Sequence, residues 1–392
     1  MKIFMCVVAL LMIWHRAAAV DIQCYTTKGR CCTVEAKDFQ YTDGDKLNIV
    51  NHTPQMAQFQ WVYKANFRWI PSEIFETFPS LDGISWGTGI EELRQVDFEK
   101  SPNLTWVDLS NNNIRSLPAS VFATLREMSN IYISKNKITE VSDYVFNGAK
   151  LDTIYLDSNL IRSISKNAFA GALVLRYIDL SENQIESFEV GTFDLPMLPN
   201  LFSSAPHLWN VDLNSNVLET IPDAFFSAHN VSNINFDSNY FYDWTDLDAF
   251  AQIKTLKTVS MYNTDFHFKT YVTSPRQGPN ITIDDLNISD NNITGDDIFY
   301  QLANFPNLTT LNLNENKFNR ILGVNKVKQM FPELSTISIE KVPVSCSWIR
   351  KSDPKFTRRD ITVTSMSDED ELLLQSEFKH YYDEKAYYCV ED

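Results

Sequence analysis

Between Cys32 and Cys346 the chain contains no cysteine, and the whole 392-residue sequence has only six. So long a thiol-free interior excludes a disulfide-dense scaffold and a string of zinc modules, which spread their cysteines along the chain. Glycine is scarce as well, with 11 residues and no glycine-rich phosphate loop among them. Six histidines include no H-E-x-x-H pair, and no G-x-S-x-G elbow is present. Neither catalysis nor a bound metal or cofactor is expected. Basic residues are in deficit too, 34 against 50 acidic for a net charge of −16, and no basic stripe offsets them. Such a surface repels phosphate backbones, so nucleic acid is excluded as a partner.

Long apolar runs are missing except at the start. In "MKIFMCVVALLMIWHRAAAV" Lys2 precedes an apolar run from Ile3 to Trp14, and small residues follow at Ala17 to Ala19. The run is shorter than the ~20 residues that a bilayer span needs. Residues 1–19 therefore read as a secretory signal peptide, giving a secreted, extracellular product with no membrane anchor. Its removal takes Cys6 away and leaves five thiols, Cys24, Cys31, Cys32, Cys346 and Cys389. An odd number leaves one thiol free or bonded to another chain, a route to a disulfide-linked dimer.

What fills the interior is a repeat. "LTWVDLSNNNI" places apolar residues at Leu104, Val107, Leu109 and Ile114 with Asn112 between them, the L-x-x-L-x-L-x-x-N-x-L pattern. It returns at Met128, Leu151, Leu175, Leu208, Val231, Leu256, Ile283, Leu308 and Leu334, mostly 23 to 27 residues apart. Asparagines keep step at 136, 159, 183, 216, 239, 291 and 316, while Thr264 and Val342 break their row. A second row, Phe75, Phe122, Phe146, Phe169, Phe193 and Phe226, lies eight residues after the last apolar position of each coil. Two weaker coils start near Ala57 and Leu81, and "DLPMLPNLFSSAP" stretches one spacing to 33 residues.

The expected fold is an α/β repeat, a leucine-rich repeat solenoid shaped as a horseshoe with a concave parallel β-sheet and disulfide-bearing caps. The expected organisation is a signal peptide at 1–19, an N-terminal cysteine cap at 20–56, about twelve repeats at 57–345, ten of them clear, and a C-terminal cysteine cap at 346–392.

Strand side chains alternate, so the third, fifth and seventh motif positions should face outward on the concave side, with the second and eighth at the strand's margins. This yields Trp106, Tyr132, Tyr155, Tyr177 and Trp209 interleaved with Asp108, Asp157, Asp179, Asp212 and Asp237. Aromatics beside carboxylates suit a protein-binding surface, where Trp and Tyr are enriched among hot spots. Seven N-x-S/T sequons, at Asn51, Asn103, Asn230, Asn280, Asn287, Asn292 and Asn307, are candidate glycosylation sites of a secreted chain. The pairs Asp284 with Asp285 and Asp296 with Asp297, and "SDEDE" at 367–371, lack EF-hand spacing and read as solvated acidic rims.

The leader, the N-terminal cysteines, coils such as "IPSEIFETFPSL" and "NLTWVDLSNNNI", and the tail from Cys346 to "AYYCVED" resemble the mosquito leucine-rich repeat immune proteins. The resemblance implies a non-catalytic binding protein of insect innate immunity, recognising a protein or microbial ligand. It further implies partners of two kinds, another leucine-rich repeat chain in a disulfide-linked heterodimer and a complement-like thioester protein. This chain departs from the long members of that family: no cysteine lies between Cys346 and Cys389, a single cysteine replaces the terminal pair, and no heptads follow. It therefore resembles a coil-less member. The alternative function is a secreted adhesion or developmental signalling ligand, or a glycosylated matrix component. Non-reducing peptide mapping should find Cys346 joined to Cys389, and Cys24 to Cys31 or Cys32. A Cys389 bonded to a second chain with Cys346 unpaired would overturn the cap assignment.

Overall fold

The computed structural model describes residues 19–27, 31–34, 39–40, 46–50, 52, 56–61, 65–87, 89–170, 172, 174–186, 207–221, 230–244, 247–365, 379–382 and 385–390. The apolar leader to residue 18, Asn51, Phe193, Phe226, the insertion at 194–206 and the acidic run at 367–371 lie outside the described residues. Among the described residues no helix is long and apolar enough to cross a membrane.

The chain is a repeat solenoid in two compact units. The first comprises residues 1–184 with 191–207, the second 185–190 with 208–392. In the first unit the strands Gln58–Trp61, Gly83–Trp86, Trp106–Asp108, Asn130–Tyr132, Thr153–Tyr155 and Tyr177–Asp179 pair in parallel, each with the next. In the second, Asn210–Asp212, Asn233–Asn235, Thr258–Ser260, Asp285–Asn287, Thr310–Asn312 and Thr336–Ser338 do the same. The residues expected to cap the N-terminal coil also enter the sheet. Ala19–Thr27 pairs with Lys46–Val50 in parallel and with Cys31–Val34 antiparallel, and Cys31–Val34 pairs in parallel with Gln58–Trp61. Cys32 is buried and disulfide-bonded, while Cys31 is half-buried.

Each three-residue strand buries only its middle side chain, such as Val107, Ile131, Ile154 or Ile178. A coil this thin cannot bury its apolar face alone, so neighbouring coils close one another's cores. Behind the strands the phenylalanine rings meet from coil to coil: Phe75 to Phe98 at 6.4 Å and Phe98 to Phe122 at 5.6 Å are tilted, while Phe122 to Phe146 at 6.0 Å and Phe146 to Phe169 at 5.7 Å are stacked. Phe98 sits eight residues after Ile90 and keeps the spacing in a coil that has lost its asparagine.

The asparagine row supplies what the turn after each strand lacks. Asn159 is typical: its Oδ1 accepts from Ile138 N at 3.1 Å, and its Nδ2 donates to Ile133 O and Leu156 O at 3.0 Å each. One buried amide thus satisfies two carbonyls and one N–H in two successive coils. Asn136, Asn183 and Asn239 repeat the set. Thr264 takes the place of the amide and is fully buried. Its hydroxyl lies 3.0 Å from Met261 O, and the preceding coil's Phe241 N donates to Thr264's own carbonyl at 2.6 Å. Just before the row, Asn111, Lys135, Ser158, Glu182, Ser215, Ser238, Asn263, Asp290, Glu315 and Lys341 all have φ between 50 and 62°.

The sheet runs on past residue 345. The helix Cys346–Thr357, capped by Ser345 Oγ accepting from Trp348 N at 3.2 Å, leads to a strand Thr362–Thr364 in parallel register with Thr336–Ser338. Ile361, Val363 and Ser365 are buried there, an alternation without the motif's spaced leucines or asparagine. A disulfide joins Cys346 to Cys389 across 43 residues, a closure worth roughly 4 kcal/mol in the chain-entropy model. Two backbone bonds reinforce it, Cys346 N to Val390 O at 3.0 Å and Val390 N to Val344 O at 2.9 Å.

Asn159→Ala leaves the Ile138 N–H unpaired in the core and takes one of two amide donors from each of Ile133 O and Leu156 O, which keep Asn136 and Asn183. It should cost roughly 1–3 kcal/mol in urea unfolding, and a loss below ~0.5 kcal/mol would show that the ladder is dispensable.

Candidate binding face

The register sorts the predicted surface residues of the first unit into two columns. One runs Ser85, Asp108, Tyr132, Tyr155, Asp179; the other runs Gly83, Trp106, Asn130, Thr153, Tyr177. The aromatics therefore do not form one line. Tyr132 and Tyr155 are direct neighbours and stack with centroids 4.9 Å apart and planes 12° apart. Tyr177 joins from the adjacent column, 5.3 Å from Tyr155 and tilted 47°. All three rings are half-exposed, and such a chain of contacts fixes their rotamers before any partner arrives.

Trp106 stands apart from this stack. It lies over Gly83, where an added Cβ would come within 2.0 Å of the indole, so the glycine makes room for the ring. Trp209 belongs to the second unit, at the margin before strand Asn210–Asp212, and is 48% exposed.

The carboxylates have local work. Asp108 Oδ1 accepts from Ser110 N at 3.0 Å, Asp179 Oδ1 from Ser181 N at 3.0 Å, and Asp212 Oδ1 from Asn214 N at 3.0 Å. These are Asx turns that close the strand ends, and Asn235, Asn287 and Asn312 make the same bond at the same motif position. The signal was an Asx residue recurring at one position, which an eye set on charge passes over. Asp157 accepts from Ser134 Oγ instead.

Electrostatics follow from this crowding. Burial, helped by Tyr132, Asp179 and Asp157, holds the Tyr155 phenol above the usual tyrosine range, so the ring stays neutral. Asp237 is pushed up chiefly by burial and also by Asp212, against the bonds it accepts from Ser260 Oγ at 2.6 Å and Tyr262 N at 2.7 Å.

The second unit's strand face is of another kind, with Asn233, Asn235, Thr258, Ser260, Asn287, Thr310 and Asn312 outward. Its exposed aromatics lie off the strands, Tyr240, Tyr242, Tyr262 and Tyr271. Tyr240 follows its ladder residue and Tyr242 and Tyr271 lie further along their coils, outside the motif, whereas Tyr262 occupies the seventh motif position, where alternation points it outward. The paired carboxylates are engaged: Asp284 with Lys257 at 3.1 Å, Asp296 with Arg320 at 2.7 Å, and Asp297 accepting from Val272 N at 2.7 Å. Among the described residues no group of three or more His, Cys, Asp or Glu could hold a metal ion. Of the sequons, Asn103, Asn230, Asn280, Asn292 and Asn307 are exposed. Asn287 is half-buried, donates to Ser260 Oγ at 2.9 Å and accepts from Ser289 Oγ at 2.6 Å.

A family model described as BspA type Leucine rich repeat region matches in six copies over residues 68–197, 161–277 and 197–306. The chain belongs to that family. Solved leucine-rich repeat structures share its fold. The complex of the mosquito proteins LRIM1 and APL1C matches with a TM-score of 0.55 at 15% identity, covering 96% of this chain and 72% of that one. The APL1 leucine-rich repeat domain matches with a TM-score of 0.56 at 16% identity over 95% of this chain and 100% of its own. A leucine-rich repeat protein of Leptospira interrogans matches at 0.52 and 16% identity over 80% and 79%. At such identities the likeness is one of fold. No curated protein matches the chain in sequence.

Asp237→Asn keeps the accepting oxygen and removes the charge. Because the folded carboxyl titrates above its unfolded value, wild-type stability declines as pH rises from ~3.8 through the folded pKa. The variant escapes that decline. It should melt with wild type at about pH 3 and above it at about pH 7, and a variant melting lower at neutral pH would reverse the assignment.

Proposed function

We propose that this is a secreted, non-catalytic leucine-rich repeat binding protein of insect innate immunity, which recognises a protein or microbial ligand through the open face of its sheet. The observation that carries the proposal is the Tyr132–Tyr155–Tyr177 stack, three touching half-exposed rings flanked by Asp157 and Asp179. Aromatic side chains held in place lose little rotamer freedom on binding and bury large areas, which is why they recur as interface anchors. Secretion is supported by the leader composition of residues 1–19. An immune role is supported by the fold shared with LRIM1 and APL1C, which form a complex with each other. The partner proposed first is accordingly another leucine-rich repeat chain, with a complement-like thioester protein second.

The test is affinity capture from haemolymph with the intact protein and with a triple variant, Tyr132→Ala, Tyr155→Ala and Tyr177→Ala. Hot-spot rings cost ~2 kcal/mol or more each, about a thirtyfold loss of affinity per ring. The variant should melt cooperatively and lose its partners. Equal capture by both proteins would sink the aromatic face as the binding site.

A further inference from the structure

The second unit contains a cavity of about 570 Å³ built around a sequon. Asn292, Ile293 and Thr294 all line it, with Asn292 and Thr294 exposed and Ile293 buried. Asn292 follows the ladder residue Asn291, whose own side chain is fully spent. Its Nδ2 donates to Met261 O at 2.6 Å, and its Oδ1 accepts from Thr264 N at 2.9 Å and Phe266 N at 3.0 Å. Aromatic rings line the same cavity. Tyr242 is 65% exposed and lies 5.2 Å from the His267 ring, and Tyr271 is 59% exposed with its hydroxyl donating to Asp296 at 2.9 Å.

We propose that this cavity is the seat of an N-linked glycan carried by Asn292, with its first sugar packed against Tyr242, His267 and Tyr271. A pyranose offers C–H faces that pack on aromatic rings, and hydroxyl and acetamide groups that bond polar walls, and this cavity supplies both surfaces. An exposed cluster of aromatics on a secreted protein otherwise marks a contact site. Here the chain brings its own ligand to it. The sequon five residues upstream has no such room, since Asn287 is half-buried and bonded to Ser260 and Ser289. Asn103 and Asn307 are exposed but do not line this cavity.

The inference rests on the secretory reading of residues 1–19, and the experiment separates the two. The full chain is expressed in mammalian secretory cells, collected from the medium and mapped as glycopeptides. Peptide-N-glycosidase is then applied to native and to denatured protein. Asn292 should be occupied, and its glycan should leave the native protein several-fold more slowly than those at Asn103 and Asn307. Denaturation should abolish the difference, and Tyr242→Ala combined with Tyr271→Ala should shrink it in the native state. Should that double variant not fold, the wild-type comparison of native with denatured protein decides. A bare Asn292 on secreted protein, or equal native release at all sites, overturns this proposal alone. Retention in the cell with residues 1–19 uncleaved overturns the secretory reading and the glycan with it.

Discussion

The coils of this molecule are held by a buried amide that recurs at Asn112, Asn136, Asn159, Asn183, Asn216, Asn239, Asn291 and Asn316. A chain that turns sharply after a three-residue strand strands two carbonyls and an N–H in an apolar interior, where each unpaired group costs on the order of 1–3 kcal/mol. An asparagine side chain is the smallest group with the donors and acceptor to meet all three, and it reaches into the preceding coil to do so. Asn159 bonds Ile133, Ile138 and Leu156 at once, tying turn geometry to stacking in a single contact. The strands, the buried Val and Ile residues and the phenylalanine stack then follow from coils held at one spacing.

That dependence explains which parts of the fold could be read from residue order. The ladder positions and the phenylalanines at 75, 122, 146 and 169 repeat at fixed offsets, so period alone located them, while Phe98 joined the row only in three dimensions. Thr264 looked like a break because its side chain is not an amide. In three dimensions its hydroxyl and its backbone carbonyl divide the job, which pattern matching cannot foresee. The strand at 362–364 stayed hidden because a twelve-residue helix precedes it and no asparagine follows. The sheet accepts any apolar alternation that arrives in register, whatever motif surrounds it.

The candidate face was legible residue by residue but not as an arrangement. Alternation placed Tyr132, Tyr155 and Tyr177 outward, yet only the register shows that two rings share a column and the third leans in from the next. It also shows Trp106 folded over Gly83, a pairing of two residues 23 positions apart that neither residue announces by itself. The aspartates lose some of their appeal as recognition groups because strand ends need an Asx acceptor and asparagines elsewhere do the same task. What distinguishes the first unit's face is thus its phenols, while hydroxyls, amides and the carboxylates of Asp212 and Asp285 line the strands of the second.

The left-handed residue ahead of each ladder position carries a different kind of information. Across ten coils it is Asn, Lys, Ser, Glu or Asp, each exposed or half-exposed, and in none of them is it Val, Ile or Thr. Positive φ is tolerable for an unbranched side chain and much less so for a branched one. The position is sterically narrow and chemically open. A lineage carrying this solenoid can rewrite the charge along that rim, coil by coil, without disturbing a core residue. Surface charge and fold stability can therefore drift independently.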